Sequence, residues 1–165
     1  LVIGGLAAEL AGPARPLTML EAGFVLGGLR FAELSLFEWL GGVARSLEAD
    51  DDVAWASAGS LRAAWRASQL EVLLPVSVGL PDAGAVTVAP SPAVAGAVAQ
   101  LGAGDVSETA SSWYEALLAA YRQRLAFLAP AADPPLERVL SRLVADLEAE
   151  RSLLPRASEP PGRNA

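Results

Sequence analysis

Apolar residues recur at helical spacing over four long stretches of this chain. From Leu17 to about Leu47 they fall at Leu17, Leu20, Phe24, Phe31, Trp39 and Val43. From about Val53 to Leu74 they fall at Trp55, Ala58, Leu61, Trp65 and Val72, largely on one side, and Pro75 ends the run. A third stretch runs from Asp105 to about Leu128 and carries Tyr114, Leu117, Leu118, Tyr121, Leu125 and Leu128, with Pro130 as its stop. The fourth places Leu136, Leu140, Leu143, Leu147 and Leu154 on one face. Each stretch predicts a helix with one buried side.

Local signals set the ends. Asp105 to Glu108 has the spacing of a capping box. Asp133-Pro134 offers a cap followed by a proline in the first turn. Asp50-Asp51-Asp52 reads as a break and N-cap region before the second helix. Gly23, Gly27 and Gly28 cost the first helix roughly 1 kcal/mol each relative to Ala. They also let backbones approach closely, which predicts a tight crossing.

Residues 75–104 change character and become rich in Gly, Pro, Val and Ala. This segment is too long for a turn and reads as a crossover, with a short helix near Ala93 to Leu101. Short strands near Val76 and Val86 are the alternative. Residues 1–16 read as a short helix or an arm, and residues 155–165 as a disordered, solvated tail. One long link between two short ones predicts an all-α fold: a four-helix bundle, residues 1–154, with a long crossover between the second and third helices.

Composition narrows the chemistry. The chain has 165 residues, 53% of them hydrophobic, enough for one domain with a real core. It has no histidine, no cysteine and no lysine. Disulfides and zinc–thiolate sites are thereby excluded. Ser57, Ser60, Ser68, Ser111 and Ser112 have neither a His nor a Lys base, which removes a serine hydrolase. The net charge of −7, with no basic run, argues against nucleic acid. No apolar run reaches the roughly 18 residues of a membrane span. The opening LVIGGLAAEL lacks a basic start and a cleavage signal, so a cytoplasmic location is expected, and the missing first Met points to a trimmed chain. All-Arg basicity with abundant Ala, Gly and Pro points to a GC-rich, bacterial coding sequence. Gly102-Ala103-Gly104 lacks the lysine and spacing of a phosphate loop, and the three aspartates lack the ligand spacing of a calcium loop.

Two stretches carry a family resemblance. RFAELSLFEWLGG in the first helix and WYEALLAAYRQRLAFLAPAADPPLERVLSRLVADLEAE across the third and fourth resemble uncharacterised bacterial ferritin-like proteins, over about two thirds of the chain. The resemblance implies a bundle built around a di-metal site, with a Glu on each of two helices and Glu-x-x-His on each of the others. Glu33 or Glu38 stands at the position of the first helix, and Glu115 at that of the third. Glu71 is followed by Val72, Leu73 and Leu74, and Ala149 sits three residues after Asp146, so neither imidazole ligand is present. The di-metal ligands are degenerate.

The helical wheel, at 100° per residue, turns Glu38 toward Phe24, Phe31 and Ser35. It puts Glu150 on the Leu136–Leu143–Leu147 face, with Asp146 at its edge. Glu115 points outward near Arg122, and Glu71 lies off the Leu61–Trp65–Val72 stripe. Buried carboxylates need partners, and Arg62, Arg66 and Arg124 are the candidates. Arg66 in particular is expected to fill the space of the metal. The expected function is a non-catalytic bundle without cofactor, acting as a structural or binding protein. The alternative is an iron- or manganese-dependent oxidoreductase using a carboxylate-only site of Glu38, Asp146 and Glu150. A third reading is a small apolar ligand held near Trp65, Gln69 and Tyr121; aromatic residues at this spacing more often form core. Finally, Leu26, Leu29, Leu36, Phe37 and Leu40 make the first helix apolar nearly all round. That predicts a homodimer through this helix, unless the N-terminal arm or the crossover covers it.

Overall fold

A computed structural model of the chain describes residues 3–129 and 133–154. The described residues form seven helices and no strand: α1 (Ile3–Ala11), α2 (Met19–Ala44), α3 (Asp50–Val72), α4 (Ala83–Val86), α5 (Pro92–Ala99), α6 (Val106–Ala126) and α7 (Pro134–Arg151). The strands weighed near Val76 and Val86 do not form; Val86 ends the single turn of α4. Pro130 and residues 155–165 lie outside the described residues.

Thr18 starts α2 through a reciprocal capping box: its hydroxyl accepts from the Glu21 amide, and its own amide donates to Glu21 Oε2 at 2.9 Å. The expected start at Leu17 lies just before this cap. The three aspartates prove to be the first turn of α3 itself, after Ala49 as N-cap. No side chain caps this end, and their charge complements the positive end of the helix instead. Asp105 accepts from the Glu108 amide at 2.9 Å, as its spacing predicts, and α6 begins at the next residue. Asp133 precedes α7 but makes no side-chain cap to it.

The long helices pair as antiparallel neighbours. Phe37–Ser60, Glu33–Arg66 and Arg30–Glu71 link α2 to α3 in an order that reverses along the two helices. Arg122–Glu148 and Glu115–Arg151 do the same for α6 and α7. Helix α1 packs mainly on α6 and buries Leu6, Ala7, Leu10 and Ala11, so the N-terminal arm is part of the core.

Which side each helix buries differs in part from the wheel. On α2 the buried side carries Val25, Leu26, Leu29, Ala32, Glu33, Leu36 and Leu40, while Phe24 is exposed. A helix apolar all round gives the wheel almost no direction to choose. On α3 the buried side is Ala56, Gly59, Ser60, Ala63, Arg66, Ala67 and Leu70, and the expected stripe of Leu61, Trp65 and Val72 faces outward. Close packing explains this. A Cβ on Gly59 would stand 3.1 Å from Leu40 Cδ1 and 2.8 Å from Glu150 Oε1. At Gly59 a side chain would collide with Leu40 of α2 and Glu150 of α7, so small residues of α3 face the interior here. The faces of α6 and α7 are as expected, with Tyr114, Leu117, Leu118 and Tyr121 buried on one and Leu140, Leu143 and Leu147 on the other.

The tight crossing predicted by the α2 glycines is real, but its partner is the connection between α3 and α6. Helix α4 lies on α2, and a Cβ on Gly27 would run into the Val86 carbonyl. Helix α5, close to the short helix expected near Ala93, packs on α1 and α2. Helices α4 and α5 thus cover part of the outer side of α2. No described helix is long and apolar enough to cross a membrane.

Candidate functional site

Each of the four longest helices sends polar side chains to one buried cluster. Arg66 of α3 is at its centre, fully buried. Its Nε donates to Glu33 Oε1 of α2 at 2.9 Å. Its Nη1 donates to Asp146 Oδ2 and Glu150 Oε2 of α7, at 2.7 and 2.5 Å. Two phenols of α6 complete the set: Tyr121 donates to Glu33 Oε1 at 2.7 Å and Tyr114 to Glu150 Oε1 at 2.9 Å. Asp146 is the member that reaches water, its side chain 26% exposed. Glu33 Oε2 and Arg66 Nη2 are buried with no partner.

The electrostatics follow from burial. Desolvation raises the Glu33 carboxyl above its ordinary range, against the attraction of Arg66 and the Tyr121 hydrogen bond. Burial lowers the affinity of Arg66 for its proton, but Glu33 and Glu150 more than reverse this, so the guanidinium stays charged. Burial, with Glu150 and Glu33 beside them, raises Tyr114 and Tyr121 and keeps both as neutral donors. Three carboxylates against one guanidinium leave an excess of negative charge.

A second buried arginine works differently. Arg124 of α6 donates to the carbonyls of Pro13, Arg15 and Phe127 at 3.0, 2.6 and 3.2 Å, and to that of Ala11 at 3.5 Å. It therefore fastens the end of α1 and the following loop to α6, where the helix dipole favours a cation. Burial lowers its proton affinity. The carboxylate partner expected for Arg124 is replaced by backbone carbonyls, a role that sequence reasoning missed.

The expected site residues separate accordingly. Asp146 and Glu150 meet Arg66 as anticipated. Glu38 does not face inward: it is exposed, and Glu33, five residues earlier on α2, takes the buried position. Glu115 is partly exposed and pairs with Arg151, while Arg122 pairs with Glu148. Glu71 pairs with Arg30 at 2.9 Å at the surface. Trp65, Gln69 and Tyr121 do not share a wall: Trp65 is exposed, Gln69 half-buried, and the Tyr121 hydroxyl is committed to Glu33. Surface depressions lie elsewhere. One of about 420 Å³ runs between α1 and α5 past Leu6, Glu9 and Gln100, and another of about 260 Å³ lies beside Asp105, Thr109 and Trp113.

Comparison with protein-family models, curated proteins and solved structures finds no match. The site therefore has to be read from its own chemistry.

A divalent cation fits this cluster poorly. Hard cations take several free oxygens, and transition metals prefer imidazole or thiolate among their ligands. Here Glu33 Oε1 and both oxygens of Glu150 already accept from Arg66 or a tyrosine, and a fixed positive charge stands between the carboxylates. No group of three or more acidic residues among the described residues is arranged to hold a metal ion. What the arrangement does chemically is join α2 and α7 to the guanidinium of α3, with α6 tied to the same glutamates through its tyrosines. No activated nucleophile is among its members.

Proposed function

We propose that this chain is a non-catalytic, ferritin-like four-helix bundle, with α2, α3, α6 and α7 as the bundle and residues 75–104 as its crossover, in which an arginine replaces the metal centre. It acts as a structural or binding protein. The observation that carries this reading is the position of Arg66, bonded to Glu33 on one helix and to Asp146 and Glu150 on another. A guanidinium supplies, in covalent form, the positive charge that inward carboxylates require, and its planar fork suits several carboxylates at once. The lack of histidine anywhere in the chain supports the same reading.

The test is metal content by mass spectrometry, on untagged protein expressed with added iron and manganese. Less than about a tenth of an equivalent is expected, since a resident metal would bind stoichiometrically. One or two equivalents, lost in Glu33→Ala or Glu150→Ala, would overturn the proposal and favour a carboxylate-only oxidoreductase.

A further inference from the structure

The outer side of α3 has an order that neither the core nor the Arg66 cluster uses. Ala54, Ala58, Leu61, Trp65, Ser68 and Val72 are all exposed, and their spacing alternates four and three. Leu61 is 69% and Val72 83% exposed. This is the repeat of about 3.5 residues that marks a helix–helix seam. At 1.5 Å per residue it is about 27 Å long. A ridge of this period fits another helix and offers no concavity for a small ligand. Phe37 of α2, 37% exposed, adjoins it, since its carbonyl accepts from Ser60 next to Leu61.

We infer that this seam packs against α3 of a second copy of the chain, antiparallel, about a two-fold axis near the middle of the helix. Charge and shape both favour that occupant. The molecule carries −7, so two copies repel unless they meet where acid is absent. From Ala54 to Ser68 there is no acidic residue, and Arg62 is the charge beside the seam. The N-terminal end of α3 is strongly acidic, with Glu48, Asp50, Asp51 and Asp52 close together. A parallel pair would place these clusters side by side; an antiparallel pair sets them a helix length apart, each nearest Glu71 of the other copy, which Arg30 of its own chain already pairs, and lays the N-terminal end of each helix beside the C-terminal end of the other. The seam is also self-complementary in size. One antiparallel register sets Leu61 over Ala58 of the second copy and Trp65 over Ala54 of the second copy, large on small along the contact. The inference goes beyond the proposed function and does not depend on the Arg66 cluster. It moves the expected two-fold contact from α2 to α3.

Sedimentation equilibrium of the full chain, at on the order of tens of micromolar, tests this. The wild type is expected to be a dimer. Leu61→Glu is expected to be a monomer with unchanged helix content by circular dichroism, its dissociation constant raised by at least about tenfold. Because the chain has no native cysteine, single-cysteine variants report the geometry directly. Ala58→Cys is expected to cross-link within the dimer through a short bifunctional maleimide, and Val72→Cys is not. The cysteine variants also read the contact if Leu61→Glu fails to fold. A monomeric wild type, a dimer that survives Leu61→Glu, or cross-linking through Val72→Cys but not Ala58→Cys would each overturn the inference.

Discussion

Two arginines are buried among the described residues, and they hold the protein together in opposite ways. Arg66 joins α2, α3 and α7 through three carboxylates, with tyrosines of α6 closing the shell. Arg124 joins α1 to α6 through backbone carbonyls and, among the described residues, meets no carboxylate within hydrogen-bond distance. The first balances charge with charge. The second answers a positive charge with dipoles that any sequence would supply. Removing a cation therefore leaves different debris in the two places: unpaired anions in one, unpaired neutral acceptors in the other.

The largest effect should come from breaking the first. Arg66→Met leaves Glu33 and Glu150 buried without their counterion, and a loss of about 3–5 kcal/mol is expected in urea unfolding. Adding Glu33→Gln and Glu150→Gln to Arg66→Met should recover much of that loss, because it removes the stranded charge; no recovery would mean that packing and not charge is decisive. Arg124→Met should cost less, about 1–3 kcal/mol for buried carbonyls left unmet. Its effect should also be local, with faster amide hydrogen exchange in α1 than in α3. Lysine sharpens the contrast, since it lacks the planar fork. Arg66→Lys should destabilise more than Arg124→Lys when midpoints are compared.

The smallest expected effect is one of pH. The folded Glu33 carboxyl lies above its unfolded value, so folding takes up a proton there. Its stabilising contribution is complete below the ordinary carboxylate range and is lost as pH rises through the folded value. Glu33→Gln keeps an acceptor for Arg66 and Tyr121 and removes the titration. Its stability should therefore fall less steeply than that of the wild type as pH rises from about 4.5. Identical slopes would show that Glu33 is ionised in both states. Glu21 has the opposite sign. Its carboxyl is held at about 2 by Arg15 and Thr18, so what it contributes is present above the ordinary range and lost as pH falls toward 2.

Sequence alone revealed the helices better than their orientation. Caps and prolines located α3, α6 and α7 within a few residues, since these signals are local. Tyr114, Tyr121 and Glu150 were assigned to the core because α6 and α7 carry one apolar side each. For α3 the rule that large apolar residues face inward failed. There the approach of two backbones selects Ala, Gly and Ser for the interior, and Leu61 and Trp65 are displaced outward. On α2, apolar nearly all round, the pattern gives no direction by which to choose between Glu33 and Glu38, which lie far apart around the helix. Arg66 was identified because the inward carboxylates demanded a cation. Arg124 was not understood, because nothing in the sequence shows which carbonyls the loop after α1 leaves unmet.

The contact of Gly27 with Val86 has a practical consequence. Residues 73–105, between α3 and α6, look like slack, yet they are buckled to α2 at this point, and any side chain larger than hydrogen at position 27 would have to force the buckle open. Slack remains a few residues earlier, where Val76 and Val78 stand fully in water. A fluorescent label or an inserted peptide should be tolerated at residues 76–79 without disturbing the helices, whereas the same insertion near Val86 would prise this connection from α2.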